Sequence, residues 1–89
     1  MKIMIRNVHA GRTEDEHYIG QVEFTVDGHQ RPYEIFFHSK DGRDWGYSLR
    51  FLGESGPEEE IDAVDRYLEE NDEAFDMLLD AVIDAYDEV

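Results

Sequence analysis

The sequence predicts an α+β fold: a four-stranded antiparallel meander sheet followed by two C-terminal amphipathic acidic helices packed on one face of it (ββββαα). Three observations carry this prediction. Residues 1–53 contain four short stretches in which apolar side chains alternate with period two, as in half-buried strands. Turn-like segments join most of them, which favours antiparallel neighbours in chain order. From residue 54 the apolar period lengthens to that of a helix, and the charge changes with it.

The first stretch, "KIMIR", puts Ile3 and Ile5 on one face. The following "HAGRTEDEH" is longer and polar and reads as a mobile loop. "YIGQVEFTV" presents Val22, Phe24 and Val26 on the core side. A turn at Asp27-Gly28 leads to "PYEIFFH", which presents Tyr33, Ile35 and Phe37. A second turn at Asp41-Gly42 leads to "WGYSLRF", with Trp45, Tyr47, Leu49 and Phe51 in line.

The segment "ESGPEEEI" reads as a helix start. Ser55 or Gly56 would be the N-cap, with proline in the first turn and acids at the positive end of the helix dipole. Ile61, Val64 and Leu68 then share one side. A second apolar stripe, Phe75, Leu78, Leu79, Val82, Ile83 and Tyr86, recurs at helical spacing, and Asn71 or Asp72 offers a fresh N-cap between the two. A single helix over residues 58–89 is the competing reading, because Ile61 to Val89 also fits a heptad series. That helix would be about 48 Å long, against roughly 30 Å for a domain of this size. It would overhang unless the chain dimerised.

Eighty-nine residues make one domain, with 1–53 as its sheet and 54–89 as its acidic helical segment. Hydrophobic residues at 40% and aromatics at 12% are enough for a core, so the acidity is not that of a disordered tail. There is no cysteine, which removes disulfides and thiolate metal sites. The start resembles no signal peptide, and no run approaches the roughly 20 apolar residues of a membrane span. The expectation is a soluble, cytoplasmic protein.

The net charge is −15, and it is uneven. Residues 1–52 hold seven Lys/Arg against eight Asp/Glu, a net of −1; residues 53–89 hold Arg66 alone against fifteen acids, a net of −14. Nucleic acid and anionic membrane are thereby disfavoured as direct partners, and a basic protein is favoured. On the last helix Asp76, Asp80 and Asp84 stand four apart, flanked by Glu73 and Asp87 on the same side. Such like-charge pairs each cost the helix about 0.2–0.5 kcal/mol. Glu58, Asp62, Asp65 and Glu69 form a second acidic face, where Arg66 is expected to pair with Asp62 or Glu70.

Two functional readings follow. In the first, the chain is a small non-enzymatic interaction protein whose acidic helical face engages a basic partner. Nucleic-acid mimicry or an inhibitor or immunity role would suit it, since acids one helical turn apart repeat every ~6 Å, as phosphates do along a strand. Its contact residues would be Asp62, Asp65, Glu69, Glu73, Asp76, Asp80, Asp84 and Asp87, with Met77 as an apolar anchor among them. In the second, the acids only solvate a salt-adapted domain, and the binding site or a homodimer interface is the other sheet face, where Met4, Ile19, Phe36 and Leu52 should emerge.

No catalytic, metal or cofactor site is predicted. His9, His17, His29 and His38 lack zinc-ligand spacing, and His38 reads as an exposed strand residue. Asp41 and Asp44 sit in "DGRD", which a tight turn explains and which lacks the calcium-loop pattern. No nucleophile elbow, phosphate loop or dinucleotide fingerprint is present.

Overall fold

Four strands pair antiparallel in chain order: β1 (Ile3–Arg12), β2 (Tyr18–Val26), β3 (Tyr33–Ser39) and β4 (Gly46–Phe51). Two helices follow, α1 (Glu58–Glu70) and α2 (Asp72–Asp87). The structure is a computed structural model and describes residues 1–87, the side chain of Asp87 excepted. The predicted ββββαα architecture is the one observed.

The alternation works as expected in the central strands. Val22, Phe24 and Val26 of β2 and Tyr33, Ile35 and Phe37 of β3 are buried, and Val64, Leu68, Leu78 and Val82 of the helices close over them. Side chains of this size each contribute about 1.5–3 kcal/mol when removed from water. Phe75 packs edge-on against Phe37 and Tyr47. The helices divide the face between them: α2 rests mainly on β1 and β2, and α1 lies beside β4. Gly20 lets α2 approach β2, because a Cβ there would stand 2.3 Å from Cγ1 of Val82. At the far end the Tyr86 hydroxyl meets the carbonyls of Gly11 and Ile19, tying α2 to both β1 and β2.

Two boundaries differ from the sequence reading. His9 to Arg12 belong to β1, so the loop shrinks to Thr13–His17. That turn is closed by a bond from the Thr13 amide to the His17 carbonyl (3.0 Å) and by the Thr13 hydroxyl accepting from the His17 amide (3.1 Å). The cause of the misreading is a register shift between Ile5 and Asn7. Ile3 packs on the core before the extra residue and Val8 and Ala10 after it, which breaks the period. Ile5 is left 38% exposed.

The second difference is the start of α1, where Pro57 is the N-cap and no side chain caps the helix. Its carbonyl accepts from the Glu60 amide at 3.1 Å, and its φ of −64° suits a helix entry. The break between the helices falls where the two-helix reading put it, and the long-helix alternative is absent. Asn71 leaves helical geometry (φ −125°, ψ 93°), and both its backbone and side-chain N–H groups donate to the Tyr67 carbonyl at 2.9 Å. Its own carbonyl accepts from Ala74 (3.1 Å) and Phe75 (3.2 Å), so one residue ends α1 and begins α2. The longest dimension is 36 Å, which a 48 Å helix would overrun.

Candidate acidic surface and its groove

The residues of the acidic surface fall into three places. Asp76, Asp80 and Asp84 lie exposed along α2, as their spacing requires. Glu73 and Met77 border a shallow depression with Met1, Ile3, Tyr67 and Ala74. Met77 is 42% exposed, so its ring of acids has an apolar neighbour at the amino end of β1. On α1, Glu69 is exposed, while Asp62 and Asp65 turn to a groove beside β4. The side chain of Asp87 lies outside the described residues.

The helical acids form no ion pair among the described residues. Among the described residues the ion pairs are Arg50–Glu34 (2.8 Å) and Arg31–Glu54 (3.8 Å), and neither uses a helix residue. The expected pairing of Arg66 with Asp62 or Glu70 is therefore not made. Glu60 is engaged otherwise, accepting from the Gln30 amide at 2.9 Å.

The groove between α1 and β4 has a volume of about 730 Å³. Tyr47, Leu49, Phe51 and Ile61 form its apolar part, and Glu58, Asp62 and Asp65 its acidic wall. The Tyr47 hydroxyl donates to Oδ1 of Asp65 at 2.7 Å. Burial first, then this bond and the charges of Asp65 and Glu69, push the Tyr47 phenol up to about 12. Burial, with a smaller effect of the Glu60 charge, does the same for Tyr33. The sequence offered no signal for this groove, because it depends on how far α1 reaches across the sheet.

On the opposite sheet face, register separates the four residues of the alternative interface. Met4 pairs with Thr25 at one end, where the Leu52 amide also bonds the Pro32 carbonyl. Ile19 pairs with His38 toward the other end, near the Phe36–Ser48 pair. Between them runs a polar row of Glu23, Glu34 and Arg50. Ile19 and Phe36 do share a depression of about 400 Å³ with His9, Gln21 and His38.

That end of the sheet also joins two histidines that sequence spacing kept apart. His17 Nδ1 and His38 Nε2 lie 3.2 Å apart, because β2 and β3 pair Ile19 with His38. Among the described residues no three His, Asp or Glu side chains are placed to hold a metal ion. The "DGRD" carboxylate is occupied by its turn: Asp41 accepts from the amides of Arg43 (2.8 Å) and Asp44 (3.1 Å), which hold its carboxyl below the usual range. Among the described residues no helix is long and apolar enough to cross a membrane. No family model, no curated protein and no solved structure matches this chain.

Proposed function

We propose that the chain is a non-enzymatic interaction module whose acidic helical surface engages a basic protein, in the manner of a nucleic-acid mimic or an inhibitor. One observation carries this reading: among the described residues, no Lys or Arg forms an ion pair with the acids of α1 or α2. Local helix energetics disfavours like charges four residues apart. A cationic partner would turn that unfavourable spacing into attraction and would speed encounter by electrostatic steering.

The test compares the wild-type chain, immobilised, with an Asp76→Asn/Asp80→Asn/Asp84→Asn variant in a cell lysate at about 0.1 M and about 1 M salt, a range over which surface attraction is screened. The expected result is a discrete basic protein retained by wild type at low salt, released at high salt and lost from the variant. Retention of the same protein by the variant would remove the α2 acids from the site.

A second reading places the site on the outer sheet face, as a partner surface or a homodimer interface. The depression shared by Ile19, which is 40% exposed, and Phe36 favours it. Met4 and Leu52 lie too far along the strands to belong to it. An Ile19→Lys variant that loses a partner still held by the α2 variant would establish this reading.

A further inference from the structure

We infer that the groove between α1 and β4 receives an extended basic segment of a partner protein, which adds to the sheet as an antiparallel fifth strand. The inference rests on the reading of a basic partner and gives that partner a conformation and a place. It begins with β4, which among the described residues pairs with β3 alone and so presents an open edge. The Leu52 amide bonds the Pro32 carbonyl at 3.0 Å. In an antiparallel ladder bonded and unbonded pairs alternate. Arg50 and Ser48 therefore bond to β3, while Tyr47, Leu49 and Phe51 turn their N–H and C=O groups outward. These are the three residues whose side chains line the groove.

The sheet is also incompletely covered there. Tyr33, Ile35 and Phe37 on β3 are at most 1% exposed, whereas their neighbours Phe51, Leu49 and Tyr47 on β4 are only half-buried. An added strand would complete this cover with every second side chain, and the remainder would face solvent.

The two sheet edges are built differently. The β1 edge carries the irregularity at Arg6 and the charges of Lys2, Arg6 and Arg12, features that discourage edge pairing. The β4 edge has an unbroken register with β3 and no proline. What stands over it instead is the row Glu58, Asp62 and Asp65. That row repels an acidic strand and attracts one whose inward residues are lysine or arginine, with their aliphatic stems on Leu49 and Ile61 and their charges at Asp62 and Glu58. The β1 edge of a second copy is a poorer occupant, since its inward row of Ile3, Val8 and Ala10 leaves those carboxylates unanswered.

The test uses a blocked hexapeptide alternating threonine and lysine, titrated into isotopically labelled protein at about 0.05 M salt. In antiparallel addition the inward residues also form the ladder, so the lysine amides point at β4. Methylating the three lysine amides is expected to weaken binding at least about tenfold, through loss of the ladder bonds. Methylating the three threonine amides leaves affinity nearly unchanged, although charge is equal in both peptides. Hydrogen exchange of the Tyr47, Leu49 and Phe51 amides slows in the complex. A folded Asp62→Asn/Glu58→Gln variant binds about fivefold more weakly.

Equal binding of the two methylated peptides, or unchanged exchange at those amides, overturns the inference. So does protection that grows with protein concentration alone, which would identify a second copy as the occupant. A partner captured through the α2 acids that leaves the Tyr47, Leu49 and Phe51 amides exchanging freely would overturn strand addition while upholding the basic-partner reading.

Discussion

Gly20 is where α2 comes closest to the sheet, and the space it leaves is filled by Val82, itself fully buried. Gly20→Ala would drive a methyl group into that side chain, and the packed interior can relieve the overlap only by moving the helix. Denaturant unfolding should show a loss of about 1–3 kcal/mol. Adding Val82→Ala reopens the space, so the double variant should lose less than the sum of the two single losses. Neither residue announces this in the sequence. A glycine inside an alternating strand signals close backbone approach, but which helix approaches is settled only by the packing. The His17–His38 contact was hidden for a similar reason, since it follows from strand register rather than from spacing.

At the scale of elements, the strands β2, β3 and β4 were legible because each alternates without interruption. The second half of β1 was not, because one extra residue at Arg6 reverses its alternation and makes Val8 and Ala10 look out of phase. The break between the helices was legible from Asn71, a residue whose short amide side chain competes with the helix backbone for its own hydrogen bonds. The acids of α2 were legible as a row, and Asp72, Glu73, Asp76, Asp80 and Asp84 are exposed and, among the described residues, form no ion pair. Asp72, Asp76, Asp80 and Asp84 form three successive like-charge pairs on that helix. Replacing Asp76, Asp80 and Asp84 by Asn should therefore stabilise the fold by about 1 kcal/mol at low salt. Thermal unfolding should show a rise in Tm that shrinks as salt is added. A variant less stable than wild type would mean that these acids make favourable contacts within the fold.

For the molecule as a whole, the phenols of Tyr33 and Tyr47 connect the core to alkaline stability. Both are raised from 10.0 to about 12 in the folded chain. The unfolded chain therefore gives up these two protons at lower pH than the folded one does, and stability falls wherever that difference operates. Their contribution should be complete below pH 10 and decline from about pH 10 to about 12. Circular dichroism and phenolate absorbance, followed together, should show unfolding and late tyrosine ionisation in the same interval. In Tyr47→Phe one of the two late ionisations should disappear. The groove that Tyr47 lines was the least legible feature of all, since it is made by the lateral gap between two elements that the sequence reading had simply stacked.

The meander also fixes an order of events during synthesis. The sheet is complete in the chain at Phe51, but Val64, Leu68, Leu78 and Val82, which cover it, are translated later. A nascent chain halted after β4 would bare Val22, Phe24, Ile35 and Phe37 to water together. The segment that finally covers this surface is the one that carries almost all the negative charge. Hydrophobic shelter and mutual repulsion between neighbouring nascent chains therefore arrive together.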